Sequence, residues 1–172
     1  GDQVILADGT VILEVVERSP DAAVCRVVQG GQVRSRQGVN LPGVRLSIAA
    51  MTPADWRHAE WAAEAGIDFV SLSFVRSPDE VRLLKELLRA RGSAARVVAK
   101  IEKREAVEAM DAVCEAADVV MVARGDLGVE LDVAEMPIVQ KRIIRACQRF
   151  QKPVIVATQM LESMLHSAAA SQ

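Results

Sequence analysis

The sequence predicts an α/β protein in which a small antiparallel β module precedes part of a βα barrel. Two observations support this prediction. Before residue 44, short β-branched runs alternate with turn residues, whereas after it amphipathic helical patterns alternate with short apolar runs. The first pattern is typical of hairpins, and the second is typical of a parallel sheet or a βα barrel. We therefore expect two domains, residues 1–44 and residues 45–172.

The first module is expected to pair its strands as hairpins. Its apolar runs cover residues 4–6, 11–16 and 24–28. Asp8 and Gly9 separate the first two runs, and both residue types tolerate the positive φ of a tight hairpin turn. Residues 38–43 mix turn formers with apolar residues, which favours an extended connector that acts as a hinge.

After the connector, the pattern predicts four consecutive βα units. The expected strands cover residues 67–74, 96–101, 119–123 and 154–157, and the expected helices cover residues 53–66, 78–92, 106–116 and 136–150. Thr52 and Ser77 each stand before a proline, as residues at helix starts do, and Gly66 and Gly92 are suitable helix ends. A closed barrel needs about 200 residues or more, so the chain supplies about half of a (β/α)8 barrel of the TIM type. Its outer strands would leave open edges.

Composition excludes several classes of function. The chain has 172 residues, of which 51% are hydrophobic and 26% are charged, and this is typical of a globular protein. Its net charge is -2 and its basic residues are mixed with acids, so we expect no nucleic-acid partner. No run approaches the roughly 18 apolar residues of a membrane span, so we expect no membrane partner and a cytoplasmic location. Cys25, Cys114 and Cys147 lack the close spacing of a zinc or redox motif, which predicts reduced structural thiols.

Three stretches with polar or charged residues directly follow apolar, largely β-branched runs, at the ends of three of the predicted strands. The stretches are Lys100-Ile101-Glu102, Arg124-Gly125-Asp126 and Ala157-Thr158-Gln159. Because the carboxyl ends of the strands in a βα barrel meet at one rim, these distant segments should build one shared site. Lys100 and Glu102 occupy alternate positions of a strand, so their side chains should enter the same pocket.

Glu102 and Asp126 would place two carboxylates at adjacent strand ends. Such a pair suits Mg2+, which takes one or two protein carboxylates and completes its shell with water and substrate oxygens. Histidine and cysteine are absent from these stretches, which disfavours zinc. A buried salt bridge between Lys100 and Glu102, with Asp126 only capping a helix, is an alternative that fits the same pattern.

Gly125 and Thr158 would lie beside these carboxylates. Glycine lets the backbone approach a ligand closely, and N–H groups at a helix start attract carboxylate or phosphate, so we expect an anionic substrate next to Mg2+. The Thr158 hydroxyl could hydrogen-bond substrate or relay a proton, although a threonine at a strand end is often structural. Ser73 and Phe74 lie at the end of their strand, as the other candidate site residues do. Core packing explains Phe74 as well as a role in the site does.

Five segments resemble motifs of the pyruvate kinase family, in the same order and with matching spacing. They are Gly38-Val-Asn-Leu-Pro-Gly43, Ser73-Phe-Val-Arg76, Ala99-Lys-Ile-Glu102, Met121-Val-Ala-Arg-Gly-Asp-Leu-Gly-Val-Glu130 and Ala157-Thr-Gln-Met-Leu-Glu-Ser-Met164. The resemblance implies a glycolytic phosphotransferase that converts phosphoenolpyruvate and ADP to pyruvate and ATP. It also implies a requirement for Mg2+ and K+, with the K+ ligands outside this chain.

The resemblance further implies a role for each strand-end residue. Lys100 would be catalytic, stabilising the transferring phosphoryl group and the enolate, and Thr158 would be the second catalytic residue. Glu102 and Asp126 would hold Mg2+. The substrate-binding residues would be Lys100, Ser73, Gly125, Asp126 and Thr158. Residues 1–44 would be the C-terminal half of a mobile lid that closes over the barrel mouth, and the full-length protein would form a homo-oligomer.

Two other functions remain open at this point. One is a Mg2+-dependent carbon–carbon lyase of the phosphoenolpyruvate/pyruvate barrel superfamily, and the other is a non-catalytic remnant that binds another subunit through its open edges. Gln37 stands where the family commonly has a lysine that contacts nucleotide. Because the chain begins with Gly1 rather than methionine, we expect it to derive from a longer polypeptide. Alone, it should show little or no activity and should tend to aggregate.

Overall fold

The structure is a computed structural model that describes residues 1–7, 9–44, 49, 51–132 and 134–158. Within these residues, eight strands and six helices follow one another. They are, in order, β1 (Gln3–Leu6), β2 (Val11–Arg18), β3 (Ala23–Gln29), β4 (Val39–Asn40), α1 (Pro53–Glu64), β5 (Phe69–Leu72), α2 (Pro78–Ala90), β6 (Arg96–Ile101), α3 (Arg104–Glu108), α4 (Met110–Ala116), β7 (Val119–Ala123), α5 (Arg124–Glu130), α6 (Met136–Arg149) and β8 (Val154–Ala157). None of these helices is long and apolar enough to cross a membrane.

The first four strands form an antiparallel sheet in the order β3-β2-β1-β4. β1 and β2 make the expected hairpin, with Leu6 opposite Val11. Asp8 of the expected turn lies outside the described residues, but its neighbours Ala7 and Gly9 both have positive φ, 54° and 92°. β4 pairs with β1, so the segment expected to be only a connector contributes an edge strand to this sheet. Sequence pattern misses this strand because it is short and lies among turn formers.

The last four strands form a parallel sheet in the order β5-β6-β7-β8, which is also their order along the chain. The bounds of β6, β7 and β8 match the expected strands, whereas β5 is shorter. A parallel sheet built from consecutive βα units, next to a separate antiparallel sheet, confirms the predicted fold class. The domain boundary near residue 44 stays a prediction, because residues 45–48 lie outside the described part of the chain.

The hydrophobic core lies between the parallel sheet and the helices α2, α4 and α6. Leu84, Leu88, Val113 and Ile143 of these helices are almost completely buried. Most residues of β6 and β7 are buried as well, which explains why the sequences of both strands are nearly continuous apolar runs. This packing fixes the strands whose ends carry the polar residues.

The expected helix starts are present, but one expected helix is divided. The Asp55 N–H donates to Thr52 Oγ at 3.2 Å and the Thr52 N–H donates to Asp55 Oδ2 at 2.8 Å, a capping box that starts α1. The helix expected over residues 106–116 is interrupted at Ala109, between α3 and α4. The Ala109 N–H still bonds to Glu105 O at 3.0 Å, so the interruption is local.

A cavity of about 890 Å³ lies against β5, beside α1. Its lining includes Trp61 and Phe69, which are 62% and 53% exposed. Large apolar side chains exposed together are typical of a surface that another segment covers. This cavity therefore agrees with the open barrel edge expected at the first strand of the parallel sheet.

Asp118 ties α2 to the sheet. Its Oδ1 accepts a hydrogen bond from Lys85 Nζ at 2.6 Å, and its Oδ2 accepts one from the Val97 N–H at 2.9 Å. Burial alone would raise the pKa of Asp118, but the hydrogen bonds from Lys85 and Val97 outweigh it and lower the pKa below 3.8. Because the folded pKa is depressed, the stabilisation is present above pH 3.8 and is lost as pH falls through the folded value.

We expect Asp118→Asn to lower the free energy of unfolding at pH 7 by about 1 to 3 kcal/mol, because it weakens two hydrogen bonds to a charged group. The difference from the wild type should shrink as the pH is lowered below 3.8. Urea unfolding at several pH values measures both effects. Asp79→Asn is the control, since Asp79 pairs with Arg82 but is 84% exposed. Equal effects of the two substitutions at pH 7 would contradict this account.

Candidate active site

The expected site residues follow the ends of the parallel strands. Ser73 lies just after β5, Glu102 directly after β6, and Asp126 in the first turn of α5, which starts directly after β7. Thr158 follows β8, whereas Gln159 lies outside the described residues. Because the four strands are parallel, these residues lie along one edge of the sheet.

Glu102 lies at the centre of a group of direct contacts. Its Oε2 accepts a hydrogen bond from the Phe74 N–H at 2.6 Å, and its Oε1 lies 2.5 Å from Lys100 Nζ. Lys100 Nζ also donates to Ser73 Oγ at 3.0 Å. The Glu102 side chain is 1% exposed and that of Lys100 is 24% exposed. The structure thus brings Ser73, Lys100 and Glu102 together, with the ammonium group nearer to solvent.

This geometry bears on the two interpretations of Lys100 and Glu102. The ion pair that the structural interpretation requires is present. Oε1 of Glu102 is buried, and its partner among the described residues is the Lys100 ammonium at 2.5 Å, with no further hydrogen-bond donor. A carboxylate oxygen has two lone pairs, so Oε1 can accept a second ligand besides Lys100. The ion pair therefore leaves room for the functional interpretation.

Two strand-end residues have strained backbones. Phe74 and Thr158 have φ of 53° and 65°, a region that bulky and β-branched residues rarely adopt. Phe74 is 48% exposed, so the interpretation of this residue as core packing is wrong. Its contact with the site is the backbone N–H that binds Glu102. Strain of this kind costs about 1 to 3 kcal/mol per residue and clusters at functional sites.

Gly125 and Thr158 form a second group of contacts. The Gly125 N–H donates to Thr158 Oγ1 at 3.0 Å, so an amide expected to be free for an anion already has a partner. A Cβ at position 125 would lie 3.3 Å from the same oxygen, which is tighter than a normal contact. Glycine at this position therefore allows the ends of β7 and β8 to approach closely. The Thr158 hydroxyl keeps its own proton for another acceptor.

Sequence reasoning missed a buried ion pair beside the site. Lys103 Nζ contacts Glu130 Oε1, and the two side chains are 13% and 3% exposed. The Arg104 guanidinium donates to the Glu130 backbone oxygen at 3.1 Å. These contacts join the segment after Glu102 to the end of α5, the helix that carries Asp126. The partners are far apart in the sequence, so no local pattern could have revealed them.

We expect Glu130→Gln to lower the free energy of unfolding by about 3 to 5 kcal/mol, because Lys103 would keep a buried charge without its partner. Urea unfolding at low protein concentration measures this loss. Asp111→Asn is a matched control, since it also removes a paired carboxylate. Asp111 pairs with Arg149, but the Asp111 side chain is 55% exposed. The control should cost less than about 1 kcal/mol. A loss for Glu130→Gln no larger than for the control would contradict the buried pair.

The oxygen donors of the site suit a hard divalent cation. Glu102 and Asp126 follow adjacent strands, and Glu102 Oε1 has no donor besides the Lys100 ammonium among the described residues. No group of three or more His, Cys, Asp or Glu residues in the described part of the chain could hold a metal. Mg2+ does not need such a cage, because water and substrate oxygens complete its shell. The residues present therefore fit Mg2+.

Comparison with known proteins gives consistent matches. The chain matches the family model described as pyruvate kinase, barrel domain, over residues 1–172. It is 45% identical over 168 residues to a pyruvate kinase of Corynebacterium glutamicum, covering 98% of this chain and 35% of that protein. It is 46% identical over 168 residues to a pyruvate kinase of Mycobacterium tuberculosis, covering 98% of this chain and 36% of that protein.

A third relative gives the same result. The chain is 47% identical over 169 residues to pyruvate kinase 2 of Synechocystis sp., covering 97% of this chain and 29% of that protein. The chain thus spans about a third of the length of the curated relatives it matches. The agreement of the family model, the identities and the strand-end motifs shows that this chain belongs to the pyruvate kinase family.

Proposed function

We propose that the protein to which this chain belongs transfers the phosphoryl group of phosphoenolpyruvate to ADP, giving pyruvate and ATP. The chain would contribute the central part of the active site. The observation that carries the proposal is the Ser73, Lys100 and Glu102 contact group at the carboxyl ends of the strands of a pyruvate kinase barrel domain. Lys100 and Thr158 are the proposed catalytic residues.

Lys100 would stabilise the negative charge that develops during transfer. Phosphoryl transfer depends mainly on positioning and on charge neutralisation by preorganised groups. Contacts to Ser73 Oγ and Glu102 Oε1 hold the ammonium group in place, while its partial exposure leaves it open to the rim. A lysine fixed in this way loses little entropy when the phosphoryl group arrives.

Glu102 and Asp126 would hold Mg2+, whose charge offsets that of the phosphate oxygens during phosphoryl transfer. Glu102 would offer Oε1, since its Oε2 accepts the Phe74 N–H. Asp126 would reach the site from the first turn of α5. K+ would bind through residues outside this chain.

Ser73, Gly125, Asp126 and Thr158 would bind substrate together with Lys100. Thr158 Oγ1 accepts the Gly125 N–H, which orients the hydroxyl so that its proton can point to the substrate. Thr158 directly follows β8 and has a strained φ of 65°, which supports a role in the site. Thr158 could therefore donate a hydrogen bond to the enolate or relay a proton.

The remaining features of the proposal concern the whole protein. Residues 1–44 would belong to a lid that closes over the barrel mouth, residues 45–172 would belong to the barrel, and ADP and ATP would bind between them. The full-length protein would be a cytoplasmic homo-oligomer. The exposed cavity beside β5 supports the expectation that the chain needs further barrel segments for activity.

A chimera tests the proposed function. In it, the matched 168-residue segment of the Corynebacterium glutamicum relative is replaced by the corresponding residues of this chain. We expect the chimera to form pyruvate from phosphoenolpyruvate and ADP when Mg2+ is present and to stop when the metal is chelated. The isolated 172-residue chain should show little or no activity. A folded chimera without turnover would overturn the proposal.

A further inference from the structure

Cys114 and Cys147 lie next to each other in the fold, although the sequence separates them widely. Cys114 belongs to α4 and Cys147 to α6, and the distance between their Sγ atoms is 3.7 Å. Both side chains are completely buried. The third cysteine, Cys25, lies on β3 and is half-buried. The three thiols are free, as expected, but their separation in the sequence does not reveal that two of them are in contact.

We propose that Cys114 and Cys147 form a reversible disulfide that links α4 to α6 when the protein is exposed to hydrogen peroxide. In the first step, the sulfur of one cysteine attacks an oxygen of hydrogen peroxide, the O–O bond breaks, and a sulfenic acid and water result. In the second step, the other sulfur attacks the sulfenic sulfur, the S–S bond forms, and the S–O bond breaks to release water. The two thiols lose two electrons and two protons, and the peroxide is reduced to water.

The distance suits this reaction. A disulfide bond is about 2.05 Å long, so the two sulfur atoms must approach each other by only about 1.7 Å. The sulfenic acid formed on one cysteine would have the second thiol in contact with it. Condensation to the disulfide should therefore outrun further oxidation.

Burial controls the rate of the reaction. Both thiols are completely buried, so peroxide in solution does not reach either of them in the closed structure. Peroxide would reach the pair when α4 or α6 opens locally. We therefore expect slow oxidation that becomes faster at urea concentrations below the unfolding transition.

The link would connect the elements that precede the site. α4 leads into β7, which ends next to Gly125, and α6 leads into β8, which ends next to Thr158. These two residues are hydrogen-bonded to each other. A disulfide between the helices would also restrict the unfolded chain, so the oxidised protein should melt at a higher temperature than the reduced protein.

Thiol counting after peroxide treatment tests the proposal on the 172-residue chain. After removal of excess peroxide, denaturation and alkylation should modify neither Cys114 nor Cys147, whereas both should be alkylated in the untreated protein. Proteolytic peptides should show Cys114 joined to Cys147, with a mass two hydrogen atoms below the sum of the two separate peptides. Dithiothreitol should restore both of these thiols.

Variants distinguish this disulfide from other oxidation products. Cys25→Ser should still lose both remaining thiols, whereas Cys147→Ala should retain Cys114 as a thiol or convert it to an acid. If Cys147→Ala does not fold, the peptide map of the wild-type protein decides the question alone. Three free thiols after prolonged peroxide treatment in mild urea, a cross-link through Cys25, or sulfinic acid at both buried positions would each overturn the proposal.

Discussion

Replacing Lys100 with methionine in the chimera should lower kcat for pyruvate formation by about a thousand-fold or more, because the charge that offsets the developing phosphoryl and enolate charge is lost. Methionine keeps the apolar stem of the side chain but leaves the buried Glu102 carboxylate without its partner, so we expect the variant to fold with a lower free energy of unfolding. Initial rates at saturating substrates measure the loss, and circular dichroism checks the fold.

Lys85→Met is the matched control for this substitution. Lys85 is also a mostly buried lysine paired with a carboxylate, Asp118, but it lies on α2 and away from the strand ends. Its replacement should reduce stability and leave kcat unchanged when measured below the melting temperature. Full activity of a folded Lys100→Met chimera, or equal losses of kcat in the two variants, would remove Lys100 from the mechanism.

Replacing Asp126 with asparagine should raise the Mg2+ concentration that gives half-maximal activity by about ten-fold or more, because a metal ligand loses its charge. Glu102→Gln should have a similar effect on Mg2+ and should also reduce stability, since the glutamine amide would face Lys100. Titration of activity with Mg2+ after treatment with a chelator measures both variants.

An exposed carboxylate provides the control for the metal experiment. Asp79 is 84% exposed on α2, so Asp79→Asn should leave the Mg2+ dependence unchanged. If Asp126→Asn and Asp79→Asn gave the same Mg2+ titration as the unmodified chimera, Asp126 would not be a metal ligand. A loss of activity that excess Mg2+ did not relieve in either site variant would indicate a different role for the two carboxylates.

Most of the parallel sheet could be predicted from the sequence. β6, β7 and β8 are apolar, β-branched runs that end at polar residues, and the burial of β6 and β7 makes the signal of these two strands strong. β4 could not be predicted, because two residues among turn formers become a strand only by pairing with β1. The interruption at Ala109 was missed too, since alanine favours a continuous helix.

Part of the candidate site could be predicted from the sequence as well. Lys100 and Glu102 share a face because side chains of a strand alternate, so a local rule places them together. The Phe74 N–H that binds Glu102 is a backbone group. Almost every residue type has a backbone N–H, so the sequence does not indicate which one binds Glu102. The Gly125 to Thr158 hydrogen bond joins residues of different strands, which only the folded sheet brings into contact.

The most direct test of the proposed phosphoryl transfer is to measure ATP and pyruvate together in one reaction of the chimera with phosphoenolpyruvate, ADP and Mg2+. The account predicts that the two products appear in equal amounts and that both fail to appear with Lys100→Met. Pyruvate formed without ATP, or ATP and pyruvate formed at an unchanged rate by folded Lys100→Met, would contradict it.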